Sequence, residues 1–177
     1  MKKIFLGLGI AILVIIVGLG IAAIAVDKNY HYEKSIVIKA PIEKVYENIR
    51  SSKAFNQWNP WLELDSNFTL EYLGTQGEIG DTYCWESQDE NVGTGCHKIV
   101  ELFPNQGVKT QMDFKKPFEN TSYSSIKLEE TTEGTKLTWD MDTELPYPLN
   151  LMKSSMDKSM DDSYGKGLEK LKNLCEQ

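Results

Sequence analysis

SIVIKAPIEKVYENIRSSKAFNQWNPW, residues 35–61, is the stretch of this 177-residue chain that determines the fold most strongly. Alternating β-branched and polar residues predict a strand over 30–39, which Ala40-Pro41 ends. Proline suits the first turn of a helix, because its missing N–H would have no partner there. Apolar residues then recur at helical spacing. We therefore expect a strand, a sharp break and a helix over 42–51.

Beyond this stretch, a second short helical piece over 53–57 precedes a long run of strands separated by polar or Gly-containing turns. The strands are expected over 68–72, 81–87, 92–103, 108–114, 122–130 and 135–145, with a polar turn at Gln88–Asn91 between the second and third of these. An antiparallel sheet of this kind must cover its apolar face. The pattern predicts an α+β domain.

A long C-terminal helix, predicted over 149–175, is the element that can cover the sheet. Its apolar residues step by three or four and form one stripe. The stripe comprises Met152, Met156, Met160, Tyr164, Leu168, Leu171 and Cys175. Gly165 and Gly167 interrupt this helix, and each costs about 1 kcal/mol against Ala. Such glycines indicate a close approach by another backbone or a bulky side chain.

The N-terminus carries 23 consecutive uncharged residues, Ile4 to Val26. At about 1.5 Å per residue, a helix of this length crosses a hydrocarbon core of roughly 30 Å. We expect a transmembrane anchor within residues 1–26 and a separate domain over 30–176. The alternative is a cleaved signal peptide, because Ala23-Ile24-Ala25 fits a small-x-small cleavage site, although such apolar regions normally span about 7–15 residues.

Charge predicts on which side of the membrane the domain lies. Lys2 and Lys3 precede the apolar segment, and the positive-inside rule keeps them in the cytoplasm. The domain is then extracytoplasmic, or secreted if the segment is cleaved. Residues 4–177 carry 17 basic and 26 acidic side chains, a net charge of −9. This charge disfavours nucleic acid and anionic lipid headgroups as partners.

The opening stretch resembles the START-like superfamily, also called the Bet v 1-like, SRPBCC or polyketide cyclase/dehydrase group. The resemblance rests on Ala40-Pro41, Val45-Tyr46 and Trp58-Asn59-Pro60-Trp61, and it extends over residues 32–174. It implies a helix-grip fold, in which a curved seven-stranded antiparallel sheet wraps the C-terminal helix around an apolar cavity. The superfamily includes lipid carriers, hormone receptors, cyclases and co-chaperone domains, so the motif is far more specific for fold than for function.

The cavity expected from this fold is lined by aromatic and methionine side chains at strand and helix positions that point inward. Thioethers and aromatic rings suit an irregular apolar ligand, although the same residues also serve as ordinary core. The expected lining residues are Trp85, Met112, Phe114, Trp139, Met141, Met152 and Met156, with Trp58 and Trp61 near the mouth.

Features for catalysis are few. The chain contains no nucleophile motif, phosphate-binding glycine loop or metal-ligand spacing, so we expect no metal and no cofactor. His97 lies on the phase of Ile99 and is a weak catalytic candidate, whereas His31 is expected to be solvated. The alternating acids Asp140, Asp142 and Glu144 are expected to form a solvated strand face.

Two cysteines, Cys84 and Cys96, have their midpoint at residue 90, within the predicted 88–91 turn. Directly opposed residues of a hairpin come close enough for a disulfide, and export supplies an oxidising compartment. We predict this disulfide. Cys175 is left as a small buried apolar residue.

The sequence favours a membrane-anchored monomer that binds a hydrophobic small molecule or lipid in an internal cavity. A polyketide cyclase/dehydrase-type enzyme is the first alternative, in which His97 or a tyrosine would move protons. A protein-interaction module that uses the outer face of the sheet is the second.

Overall fold

The computed structural model describes residues 2–65, 67–89 and 92–177, except that the side chains of residues 2–6 and 8 lie outside this description. The helices are α1 (Lys2–Ala25), α2 (Ile42–Glu47), α3 (Ser52–Phe55) and α4 (Lys153–Cys175), with 3₁₀ turns at Pro60–Glu63 and Leu149–Met152. The strands are β1 (Asn29–Ile38), β2 (Thr69–Leu73), β3 (Thr82–Glu86), β4 (Thr94–Phe103), β5 (Gly107–Lys116), β6 (Asn120–Thr131) and β7 (Gly134–Glu144).

The strands form one antiparallel sheet in the order β1-β7-β6-β5-β4-β3-β2. Neighbours along the chain pair as hairpins, and β1 joins the far edge by pairing with β7. The α+β class and the seven-stranded helix-grip arrangement are confirmed. The predicted 88–91 turn lies partly outside the described residues.

The helix predicted over 42–51 is shorter than expected, because α2 ends at Glu47. The Asn48 side chain donates a hydrogen bond back to the Lys44 carbonyl at 2.8 Å. Ser51 then serves as the N-cap of α3 and accepts from the Ala54 N–H at 3.2 Å. Polar side chains that bond locally to the backbone end helices and begin new ones, so the segment forms two helices with a turn between them.

Helix α4 packs on the sheet at Gly167, as its glycines predicted. A Cβ at Gly167 would lie 3.1 Å from Pro60 Cδ and 3.3 Å from the Trp139 ring. The following Leu168 and Leu171 are almost fully buried, and burying each stabilises the fold by roughly 1.5–3 kcal/mol.

Helix α1 is held to the domain at its C-terminal end. The fully buried Asn150 donates from Nδ2 to the carbonyls of Ala23 at 2.7 Å and Val26 at 2.8 Å. Over the part of the chain that the structure describes, no helix is both long enough and apolar enough to cross a membrane. The anchor predicted over 4–26 lies partly outside the described residues.

The Cys84–Cys96 disulfide is present in the structure and spans 12 positions of sequence. The two residues are direct partners in the β3–β4 register. Cys175 is free and buried. The symmetric placement of the two cysteines about the turn was therefore a correct indication of the register.

We predict one free thiol, Cys175, when the unreduced protein is denatured and titrated with Ellman's reagent, and three after reduction. Replacing both bridged cysteines by alanine should lower the free energy of unfolding by about 2–3 kcal/mol, because the closed loop restricts the unfolded chain. Cys175→Ala is the control for thiol counting. Three free thiols without reductant would contradict the prediction.

Candidate functional site

A cavity of about 380 Å³ lies between the concave face of the sheet, the N-terminal half of α4 and the 60–63 turn. Ligand cavities in proteins typically span about 300–1,000 Å³. Its wall is made of Phe55, Asn59, Trp61, Leu62, Phe68, Tyr83, Trp85, Val92, His97, Met112, Phe114, Asn120, Ser122, Ser124, Trp139, Met141, Thr143, Leu145, Met156, Met160 and Tyr164.

The strand and helix periods explain this wall. Every second residue of a strand points to the same face, which brings Met112 with Phe114, and Met141 with Thr143, onto the concave side. On α4, Met156, Met160 and Tyr164 recur every four residues and share one face of the helix.

Trp139 is the central aromatic side chain of the site. Its ring stacks on Tyr164 with 3.9 Å between centroids, and it meets Trp61 edge-on at 5.8 Å. The Trp139 indole N–H donates to Ser124 Oγ at 2.9 Å, so its polar atom is satisfied. These contacts hold the ring between α4 and the sheet.

Most polar groups of the wall are paired with protein atoms. Thr143 Oγ1 accepts from Ser122 Oγ at 2.7 Å and from Asn120 Nδ2 at 2.8 Å. Asn59 Nδ2 donates to the Tyr83 hydroxyl at 3.1 Å. No Lys, Arg, Asp or Glu belongs to the described wall, so the cavity is apolar with neutral polar spots.

His97 is the exception among these polar residues. It is only 5% exposed and lies 5.0 Å, between ring centroids, from both Phe55 and Tyr83. Its Nδ1 has no hydrogen-bond partner among the described residues. Burial lowers the pKa of His97 to about 4, although the Asp81 carboxylate favours the protonated form. The imidazole is therefore neutral at pH 7. Like Ile99, it faces inward, as the alternation predicted.

Comparison with known families identifies the domain. Residues 30–176 match the family described as polyketide cyclase / dehydrase and lipid transport. The chain belongs to this family. No curated protein matches it.

Three solved structures illustrate the fold that this family member shares. Protein CV1439 from Chromobacterium violaceum is 16% identical with a TM-score of 0.60, over 83% of this chain and 97% of that one. SA2116 from Staphylococcus aureus, of unknown function, is 15% identical with a TM-score of 0.63, over 85% and 95%. The di-domain ARO/CYC protein StfQ of the steffimycin biosynthetic pathway is 12% identical with a TM-score of 0.65, and the match covers 85% of this chain and 51% of StfQ.

Seven of the nine residues predicted to line the cavity do lie in its wall. These are Trp61, Trp85, Met112, Phe114, Trp139, Met141 and Met156. Trp58 is not at the mouth: it is fully buried behind Phe55, with rings 4.7 Å apart, and donates to the Asn48 carbonyl. Met152 is 53% exposed, because it ends a 3₁₀ turn, in which a step of four residues does not keep one face.

Sequence reasoning missed the polar wall residues. Ser122 and Thr143 lie opposite each other in the β6–β7 register and face the cavity. Thr143 shares the phase of Met141, so the strand alternation contained this signal. Asn59 and Tyr83 come from separate elements, and no local pattern predicts that they meet.

Asp140 was expected to be solvated and is buried. It lies on the outer face with the exposed Asp142 and Glu144, as the alternation predicted, but side chains of the neighbouring strand β6 cover it. Ser125 donates to its carboxylate from the hydroxyl at 2.7 Å, and Lys127 Nζ lies 3.2 Å away. His31 is half-exposed and bonds to Asp142 at 2.8 Å. Among the described residues no acid and histidine cluster could hold a metal ion.

Gly95→Ala should destabilise the fold by about 1–3 kcal/mol, as overpacking does. A Cβ at this position would lie 2.7 Å from both the Trp85 ring and the Asp113 carbonyl oxygen. Urea unfolding followed by tryptophan fluorescence measures the change. Gly165→Ala is the control: its Cβ would approach only the flexible end of Lys34, and it gains up to about 1 kcal/mol of helix propensity. Equal stability of Gly95→Ala and wild type would contradict this contact.

The low pKa of His97 predicts that stability falls in mild acid. In the unfolded chain the His97 imidazole is protonated below about pH 6.5, whereas in the folded protein it is protonated only below about pH 4. The neutral imidazole therefore contributes its full stability above pH 6.5, and this contribution is lost as the pH falls from 6.5 towards 4. We expect a loss of about 2 kcal/mol between pH 7 and pH 5 that His97→Phe lacks.

Urea unfolding of both proteins at the two pH values measures this difference. The Asp142 carboxylate raises the pKa of His31, which therefore acts in the opposite direction, but His31 is present in both proteins and cancels. The same pH dependence in wild type and His97→Phe would show that His97 is not buried in the neutral form.

Proposed function

We propose that this chain is a membrane-tethered START-like binding protein that holds an apolar small molecule, such as a lipid, in the cavity between α4 and the sheet. The cavity carries the proposal. Its volume of about 380 Å³ is enclosed mainly by aromatic and methionine side chains. Each methylene moved from water into such a wall gains roughly 0.8 kcal/mol, so an apolar chain binds there without any charged contact. The family's description, which includes lipid transport, supports this assignment.

The N-terminal segment joins the domain at the end of the sheet that contains the cavity, and this position would suit lipid exchange with a membrane. Helix α1 leads directly into the start of β1, and Asn29 pairs with Glu144 at the end of β7. The same end of the sheet contains the start of β6, where Asn120 lines the cavity beside Phe114. The 4–26 segment, as a membrane anchor, would hold the cavity end of the sheet at the bilayer.

Exposed apolar side chains at that end favour the same placement. Phe118 in the β5–β6 loop is 60% exposed, and Tyr147 between β7 and α4 is 46% exposed. Leu151 follows it and is also exposed. Aromatic side chains are enriched where proteins meet the membrane interface.

The extracytoplasmic side suits the domain on two grounds. Lys2 and Lys3 precede the apolar segment, which orients the chain by the positive-inside rule. The Cys84–Cys96 disulfide needs an oxidising compartment, and the thiol titration above tests it. If the segment is cleaved after Ala25, the same domain is a secreted carrier. We propose that the domain acts as a monomer.

Catalysis of the cyclase type has one favourable observation, the presence of His97 in the cavity wall. A general acid or base is normally oriented by a hydrogen-bonded partner. Among the described residues, no carboxylate or tyrosine supplies such a partner to His97 Nδ1. Binding therefore accounts for more of the site than chemistry does, and no observation favours a protein-interaction role.

The proposal predicts that a lipid-sized apolar molecule co-purifies with the full chain. The chain is extracted into nanodiscs without detergent and analysed by native mass spectrometry, with thermal shifts measured for a panel of added lipids. Met156→Trp should reduce the bound fraction severalfold, because the indole occupies the cavity. Met152→Trp, four residues earlier and outside the wall, is the matched control and should leave binding unchanged.

Absence of any bound molecule, together with no thermal shift for any lipid, would exclude a carrier function. Equal binding by Met156→Trp and Met152→Trp would place the ligand elsewhere.

A further inference from the structure

The polar groups of the cavity wall differ in whether protein atoms already satisfy them. Ser122, Ser124 and Thr143 take part in hydrogen bonds within the protein, and Asn59 bonds to Asn56 and Tyr83. Because these side chains already hydrogen-bond to protein atoms, a ligand gains little hydrogen bonding from them.

His97 alone in the described wall combines near-complete burial with a ring nitrogen, Nδ1, that no described residue hydrogen-bonds. A buried polar atom without a partner costs about 1–3 kcal/mol. His97 also borders a second void of about 10 Å³ beside Ser52, whose hydroxyl likewise has no hydrogen-bond partner in the described part of the chain. That void has room for no more than a water molecule, so a larger ligand can contact the imidazole only from the main cavity, whose wall His97 also lines.

We propose that His97 is the polar anchor of the cavity and selects an uncharged amphiphile whose hydroxyl group hydrogen-bonds the imidazole. This inference rests on the proposed function and specifies the chemical class of its ligand.

A hydroxyl group fits a neutral imidazole better than other neutral groups. The imidazole presents one N–H donor and one lone pair. A hydroxyl donates and accepts, so it pairs with either ring nitrogen in either tautomer, whereas a carbonyl oxygen only accepts. The rings of Phe55 and Tyr83 pack against His97 and restrict its orientation.

A charged headgroup does not fit the described wall. No Lys or Arg lines it, and the only titratable base is a histidine that stays neutral at pH 7. Burying an ionised carboxylate without a counter-charge costs several kcal/mol. The cavity therefore discriminates between a fatty alcohol and a fatty-acid anion of equal size.

Three rigid probes of matched shape test the inference: naphthalene, 2-naphthol and 2-naphthoate. Their affinities for the full chain in nanodiscs are measured at pH 7.5 by isothermal titration, with empty nanodiscs subtracted for partitioning. We expect 2-naphthol to bind roughly threefold to tenfold more tightly than naphthalene, the range of one net hydrogen bond. 2-Naphthoate should bind at least about tenfold more weakly than 2-naphthol.

Substitutions identify the residue responsible. His97→Phe keeps an aromatic ring of similar size, so naphthalene binding should stay within about twofold while the preference for 2-naphthol disappears. The control, His31→Phe, changes the chain's other histidine, which lies on the surface, and should keep the full preference. A preference for 2-naphthol that persists in His97→Phe would overturn the inference.

A spectroscopic measurement on the wild-type chain does not depend on any variant folding. The chain has two histidines, so ¹⁵N NMR of the imidazoles separates His97 from His31. 2-Naphthol should shift the His97 nitrogens through the new hydrogen bond, while naphthalene should not and His31 should not move. Unchanged His97 nitrogens at saturating 2-naphthol would overturn the inference.

The two proposals fail in different ways. If naphthalene binds and 2-naphthol binds no more tightly, the polar anchor is wrong and the apolar cavity function stands. If none of the three probes binds although a lipid does, the polar anchor is wrong and the carrier function stands. If neither the probes nor any lipid binds, both are wrong.

Discussion

The contact of α4 with Trp139 is the constraint on which the rest of the structure depends. Tyr164 stacks on the indole at 3.9 Å. A Cβ at Gly167 would lie only 3.3 Å from the same ring and 3.1 Å from Pro60 Cδ, so the helix approaches both closely at this glycine. From there to Cys175 the helix is pressed into the core, with Leu168 and Leu171 almost completely buried. On the other side of Tyr164, Met160 and Met156 face open volume. One aromatic contact thus divides the helix into a packed half and a cavity-lining half.

The cavity persists because rigid rings hold its walls apart. Interiors are normally close-packed, and a void forfeits dispersion contacts. Trp85 lies over Gly95, where a side chain has no room, and it meets Phe114 edge-on at 5.7 Å. Such rings cannot collapse into the volume without losing their own contacts. The empty space therefore belongs to the folded state, which is the property a binding protein requires.

Charged side chains lie on the outside of the domain, whereas the described cavity wall is uncharged. The chain carries a net charge of −7, yet no charged side chain lines the described wall. Outside, Asp140 is covered by Ser125 and Lys127 on the convex face, away from the ligand side. Inside, a neutral His97 is the one titratable base among the described wall residues. The electrostatics exclude ions from the cavity and leave hydrogen bonding as the means of recognising a polar group.

The sequence by itself determined what repeats along the chain: the strand alternation, the α4 stripe, the Cys84–Cys96 register and the Ala40-Pro41 break. Each depends on neighbours within one hairpin or helix, so local periodicity suffices. Only the tertiary structure decided the placement of Trp58 in the core, the exposure of Met152 and the burial of Asp140. It also brought Asn59 to Tyr83 and left His97 Nδ1 without a hydrogen-bond partner among the described residues. These outcomes depend on which side chains from distant elements pack into the same volume. The periodic pattern of the sequence contains no information about such long-range packing.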